Sequence, residues 1–133
     1  MSAADDFLDT NILVYLIGRD SAKAERAEAL LAQGATISVQ VLNEFVSVAT
    51  RKASFTIDEA RDMLATVRAL CKVVPLDLAT HDLGFDIAGK HSFSIYDSMI
   101  VAAASLAQCK HLWSEDMQAG RRIEGVEIRN PFD

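Results

Sequence analysis

Short apolar runs alternate along the chain with longer stretches whose apolar residues recur every three or four positions. The first pattern is that of strands, the second that of amphipathic helices. Asp6-Phe7-Leu8-Asp9 predicts a short first strand, and the stretch from Asn11 to Gly18 predicts a helix that is apolar nearly all round and ended by Gly18. From Ser21 to Gln33 the chain is rich in Ala and Glu and amphipathic, with Ser21 or Asp20 as its cap and Gly34 after it. Ala35 to Val39 predicts a second strand. A helix follows from about Gln40 to Lys52, with an apolar stripe of Val41, Leu42, Phe45, Val46, Val48 and Ala49. Thr56, with Glu59 three residues on, forms a capping box for a helix reaching about Cys71. Val73 to Leu76 predicts the third strand, at an edge because of Pro75. Asp77 or Thr80 opens a helix to about Lys90, and Ser94 caps another that buries Met99, Ile100, Ala103, Ala104 and Leu106. His111 to Ser114 predicts a fourth strand and Val126 to Ile128 a fifth, closed by Asn130-Pro131.

Strands alternating with helices imply an α/β fold with a mostly parallel sheet and right-handed crossovers. No internal repeat, low-complexity tract or linker divides the 133 residues, so residues 1–133 are expected to form one domain. Half the residues are hydrophobic, enough for a core that needs no disulfide or structural metal. Cys71 and Cys109 have no metal-ligand spacing and are expected as buried, reduced thiols. The N-terminus, Met1 to Asp6, is small and acidic rather than signal-like, and no apolar run nears the ~18 residues of a membrane span. A cytoplasmic protein is expected.

Net charge changes the picture. At −6 it argues on its face against nucleic acid, which is usually held by Lys and Arg on phosphates. Carboxylates gathered around divalent cations would produce the same deficit, because the ions bring positive charge with them. The predicted elements place four acids at one end of the sheet. Asp9 ends strand one, Asp116 lies just past strand four, Asp97 is in the first turn of the helix leading to strand four, and Glu44 is near the start of the helix after strand two. Ligands in open α/β sheets gather at that end, where strand order reverses.

Each acid taken singly has an ordinary structural reading: Asp97 offsets a helix dipole, Asp9 and Asp116 cap turns, and Glu44 is solvated. Their neighbours weigh against it. Asp9 is embedded between Phe7-Leu8 and Ile12-Leu13, Glu44 is bordered by Leu42, Phe45 and Val46, and Asp97 directly precedes the apolar run from Met99 to Ala104. Carboxylates seldom approach a core unless paired or bound to metal. Mg²⁺ and Mn²⁺ take oxygen ligands in octahedral geometry, so two or three carboxylates fix an ion and leave positions for water and a phosphate oxygen. A fourth acid binds a second ion or holds a ligand water. Thr10, Asn11 and Ser114 are placed to orient carboxylates or water.

These residues carry a resemblance. Phe7-Leu8-Asp9-Thr10-Asn11, Asn43-Glu44-Phe45, Ile95-Tyr96-Asp97-Ser98 and Ser114-Glu115-Asp116 resemble the four signature segments of PIN domains, and more narrowly the VapC toxins of bacterial toxin–antitoxin pairs. The likeness extends over nearly the whole chain, including Met117-Gln118 and Asn130-Pro131-Phe132. It implies a three-layer α/β/α fold around a five-stranded parallel sheet ordered 3-2-1-4-5, cleavage of RNA with Mg²⁺ or Mn²⁺, homodimers, and inhibition by a small antitoxin protein. It carries over Asp9, Glu44, Asp97 and Asp116 as the acidic, metal-binding site, with Asn11 and Ser114 in support. Ser114 stands where family members often have Thr, and keeps the hydroxyl. Glu115 competes with Asp116 for the fourth role, but the Ser-x-Asp spacing favours Asp116.

Arg51 and Lys52 end the Glu44 helix, where they either touch RNA phosphates or offset the helix dipole. Arg121 and Arg122, close after Asp116, are further candidates for phosphate contact. His81, His91 and His111 are scattered and expected to be structural; Asp5, Asp6, Asp77 and Asp86 are expected at the surface or as caps, and Trp113 in the core. Three rival readings fit the residues less well. A phosphoaccepting receiver module would use Asp5-Asp6 and Asp77, but lacks a late Lys after a strand. A haloacid-dehalogenase-like phosphatase needs Asp-x-Asp where this chain has Asp9-Thr10-Asn11. A catalytically silent PIN-like interaction module would not need four intact acids.

Overall fold

The structure is a computed structural model that describes residues 5–132. The acidic N-terminus read from the sequence lies largely outside that range. A six-stranded sheet runs through the molecule in the order β3-β2-β1-β4-β6-β5. Its strands are β1 (Asp6–Leu8), β2 (Ala35–Ser38), β3 (Cys71–Val74), β4 (His111–Trp113), β5 (Arg122–Ile123) and β6 (Val126–Arg129). The five expected strands are β1, β2, β3, β4 and β6, in the expected order and parallel throughout. The two-residue β5 is an addition, pairing antiparallel with β6 at the edge. Strand order reverses between β1 and β4, which are direct neighbours with Leu8 opposite Trp113.

Six α-helices connect the strands: α1 (Thr10–Val14), α2 (Ser21–Ala32), α3 (Val39–Lys52), α4 (Ile57–Leu70), α5 (Leu78–His91) and α6 (Ile95–Leu106). The caps read from the sequence are in place. Asp20 accepts from Lys23 N, Thr56 and Glu59 exchange the two bonds of a capping box, Asp77 accepts from Thr80 N, and Ser94 accepts from Asp97 N. The apolar stretch after Asn11 is not one helix. It is the short α1, entered one residue earlier, followed by a 3₁₀ turn at Tyr15–Ile17. Cys71 is not the end of a helix either; it opens β3, which sits at the edge of the sheet as Pro75 suggested. It is half-buried, Cys109 is buried, and both thiols are free.

Phe7, Leu8, Ile37, Leu112 and Ile128 fill the sheet's share of the core. On α3 the buried stripe is Val41, Phe45 and Ala49, spaced four apart, so Glu44 is held beside the core rather than in it. Helix α6 is buried over every residue from Ser98 to Ala104, whereas Leu106, expected inside, is 49% exposed. α6 also packs unusually close to α5. A Cβ on Gly84 would stand 2.6 Å from Met99 Sδ and 3.3 Å from Met99 Cα. A side chain there would have to displace the Met99 thioether and crowd its backbone. Asp6 corrects the expectation of a surface acid: it is 4% exposed and faces His111 Nδ1 at 3.1 Å across the β1–β4 pair.

Candidate active site

The switch point between β1 and β4 opens into a cavity of about 300 Å³ lined by Asp9, Thr10, Asn11, Glu44, Ser47, Val48, Arg51, Asp97 and Asp116. The structure thus brings together all four acids singled out from the sequence. Each is delivered by a different segment. Asp9 caps α1 at the end of β1, Glu44 is in the second turn of α3, Asp97 is in the first turn of α6, and Asp116 is on the loop after β4. They grade from a deep floor to an open mouth: Asp9 is 4% exposed, Glu44 and Asp97 are half-buried, and Asp116 is exposed.

The hydroxyl and amide groups expected to orient these acids do contact them. The Thr10 amide donates to Asp9 Oδ1 at 2.7 Å and Ser114 Oγ donates to Asp9 Oδ2 at 2.7 Å. Thr10 Oγ1 donates to Glu44 Oε1 at 2.5 Å, and Asn11 Nδ2 donates to Asp116 Oδ2. Ser114 Oγ in turn accepts from the Met117 amide at 3.2 Å, so one hydroxyl links the deepest acid to the loop that carries the outermost. Gln40 escaped the sequence reading. It is 6% exposed, and its Nε2 donates to Glu44 Oε2 at 3.3 Å and to the Tyr96 carbonyl at 3.0 Å, tying α3 to α6 beside Asp97. The four-residue spacing of Gln40 and Glu44 was the available signal.

No cation balances this charge. Among the described residues, none of the four carboxylates lies within 4 Å of a Lys, Arg or His nitrogen. Burial pushes Asp9 up to about 6, against the bonds from Ser114 and Thr10 that favour its charged form; Asp97 and Asp116 add repulsion. Asp97 is raised too, by burial first and then by Asp116 and Glu44, and Ser94 only partly offsets this. Four mutually repelling carboxylates without a counter-ion are an unfavourable arrangement for a folded chain unless something cationic binds there.

The donor set fits a hard divalent cation, being carboxylate oxygens supported by hydroxyl and amide groups. Among the described residues, however, no group of three or more His, Cys, Asp or Glu side chains is closed into a ready-made metal cage. Arg51 reaches the cavity wall, where its Nε donates to Ser47 O at 3.2 Å and Ser47 Oγ at 3.0 Å. Lys52 and Arg122 are exposed and outside the cavity. Arg121 also lies outside, 3.3 Å from His91 Nδ1 and stacked over Phe93. None of the three histidines lines the cavity. Trp113 is half-buried between the guanidinium groups of Arg26 and Arg129. Glu115 points away from the acids. Lys23 Nζ bonds both its oxygens, at 2.9 and 2.8 Å, and the Tyr15 hydroxyl donates to it; the Lys23 and Tyr15 bonds hold its carboxyl below the usual range. Asp77, the acceptor a receiver module would need, is spent on capping α5.

The sequence profile of the PIN domain family matches residues 7–123, and the chain belongs to that family. No curated protein matches the sequence. Among solved structures, the fold is similar to a toxin–antitoxin complex from Klebsiella pneumoniae, with a TM-score of 0.72 and 17% identity, covering 95% of this chain and 97% of that one. It is similar to VapC20 of Mycobacterium tuberculosis, described as a sarcin–ricin loop cleaving toxin, with a TM-score of 0.71 and 18% identity over 92% of this chain and 98% of that one. It is also similar to DNA-bound VapBC from Salmonella typhimurium, with a TM-score of 0.67 and 20% identity over 98% and 99% of the two chains. At these identities the likeness is one of fold.

Proposed function

We propose that this chain is a divalent-metal-dependent endoribonuclease, acting in the cytoplasm as the toxin of a toxin–antitoxin pair. The observation that carries the reading is the gathering of Asp9, Glu44, Asp97 and Asp116 around one cavity in which, among the described residues, no Lys, Arg or His forms an ion pair with any of them. These four residues would hold Mg²⁺ or Mn²⁺. Such an ion, when bound, supplies an acidified water and offsets charge on a phosphoryl group. The protein's own part is positional. Thr10 and Gln40 hold Glu44, Ser114 holds Asp9, and Asn11 holds Asp116, so each of these three carboxylates has a partner that orients it around the cavity. Arg51, at the rim, is placed to meet a phosphate of the RNA, with Lys52, Arg121 and Arg122 as more distant contacts.

For the antitoxin, the apolar cavities flanking α4 are the best-suited surface. One, of about 450 Å³, lies between Leu16, Leu31, Met63, Val67 and Leu70; another lies between α3 and α4 at Leu42, Val46 and Leu64. The 3₁₀ turn after α1 contributes Leu16 to the first. An amphipathic helix laid there would cover apolar surface on more than one side. A homodimer would cover the three most exposed large apolar residues, Leu78, Tyr96 and Phe85, which are 73%, 67% and 59% exposed. Among the described residues no helix is long and apolar enough to cross a membrane.

Expression tests the reading. The chain alone is expected to arrest growth with accumulation of cleaved RNA. Together with the product of the neighbouring gene it is expected to co-purify in an inactive complex. Arrest with intact RNA, or a complex as active as the free chain, would count against it.

A further inference from the structure

Asp116 is the most exposed of the four acids and the only one on a loop rather than at a helix end or within a helix. Among the described residues its side chain is hydrogen-bonded by Asn11 alone. A further hold on the loop lies one residue away, at Glu115. Glu115 is tied on both oxygens to Lys23 of α2, and on one of them to the hydroxyl of Tyr15. Lys23 Nζ also sits 4.9 Å from the Tyr15 ring centroid and 5.1 Å from that of Phe132, and the two rings meet edge to face at 5.3 Å. The 3₁₀ turn and α2 thus meet on the carboxylate next to Asp116, and Phe132 of the C-terminal tail packs against the two residues that hold it.

We infer that Glu115, Lys23 and Tyr15 are positioning residues that hold the 114–117 loop so that Asp116 faces the other carboxylates. The inference rests on the metal-dependent reading above. The physical reason is the repulsion already described. Asp116 is exposed, on a loop, and shares the cavity with three other carboxylates, so a loop free to yield would carry it away from them. On this side of the loop, the Glu115 clamp is what resists that movement. Inside, Ser114 Oγ and the buried Met117 hold the loop's other face. Loss of the clamp should weaken capture of the ion without removing any ligand.

The test compares wild type with Lys23→Met, which keeps a long unbranched side chain but removes the charge, and with Glu115→Gln and Lys23→Arg. Two readouts are taken: hydrogen exchange at the Met117 amide, and Mn²⁺ binding followed by the electron paramagnetic resonance of free Mn²⁺. For Lys23→Met and Glu115→Gln, exchange at Met117 is expected to quicken about tenfold while α6 amides stay unchanged. Half-saturating Mn²⁺ should rise about tenfold, with cleavage of RNA recovering to within about threefold of wild type at saturating Mn²⁺. Lys23→Arg should restore most of both. Wild-type exchange and wild-type Mn²⁺ affinity in the first two variants would overturn the inference and leave the ribonuclease reading standing. A wild-type protein that neither binds Mn²⁺ nor cuts RNA would overturn both, whatever the loop does.

Discussion

In EDTA at neutral pH, Asp97→Asn is expected to melt higher than wild type, and in Mg²⁺ to cut RNA on the order of 100-fold more slowly or worse. Asparagine has nearly the shape of aspartate but no charge. Two effects oppose each other at this position. Asp97 is in the first turn of α6, where a negative charge is favoured by the helix dipole and by the Ser94 cap. It is also half-buried and faces Asp116 and Glu44. The upward direction of its shift says that burial and repulsion win, so the charged form is a net cost to the metal-free fold. Its partial exposure keeps that cost small, so the expected rise in Tm is modest. The variant should also gain less Tm from Mg²⁺, since binding to the folded state relieves the same repulsion. Asp86→Asn, on the exposed face of α5, should change none of these quantities. Thermal melts with EDTA and with Mg²⁺ decide the matter. A metal-free Asp97→Asn protein that melts clearly below wild type would mean that the helix dipole and cap dominate, and that Asp97 is a structural acid.

Asp9 governs the response to pH. Its folded pKa, about 6, lies above the ordinary 3.8, so the folded chain binds the proton more tightly than the unfolded one. The stability this supplies is fully present below pH 3.8 and is lost as pH rises through about 6. At neutral pH the charged, 4% exposed carboxylate therefore costs the metal-free fold roughly 3 kcal/mol. Metal-free wild type is expected to gain stability as pH falls from 7 to 5, whereas Asp9→Asn should be nearly flat over that window. Glu115 and Glu127, whose carboxyls are held low by Lys23 and Arg129, act in the opposite sense but only at more acid pH. With Mg²⁺ present the gain should shrink, because protons and the ion compete for Asp9. Urea unfolding at pH 7, 6 and 5 measures this; the same pH dependence in wild type and Asp9→Asn would show that Asp9 is not the buried, uncompensated acid described here.

Much of this was legible in the sequence because it is locally encoded. The capping box at Thr56 and Glu59, the caps at Asp20, Asp77 and Ser94, and the burial of α6 all follow from residues within one or two helical turns of each other. The convergence of four acids was legible because each adjoins a strand end or helix start, and α/β topology brings those to one edge of the sheet. What could not be read depends on distant partners. Asp6 is buried because His111, 105 residues away, faces it across the sheet. Gln40 belongs to the site through the Tyr96 carbonyl of another helix. The apolar run after Asn11 breaks into a 3₁₀ turn at Tyr15, whose hydroxyl reaches Glu115 a hundred residues on. Strand β5, two residues long, has too little alternation to register as a strand at all.

The central claim is that these carboxylates act through a divalent ion they hold together. It is tested most directly by titrating Mg²⁺ or Mn²⁺ into EDTA-stripped protein while following cleavage of RNA, with Ca²⁺ as the ion whose looser geometry positions water badly. Cleavage is expected to be absent in EDTA, to rise with occupancy of Mg²⁺ or Mn²⁺, and to be poorly supported by Ca²⁺. Undiminished cleavage in EDTA would contradict the account.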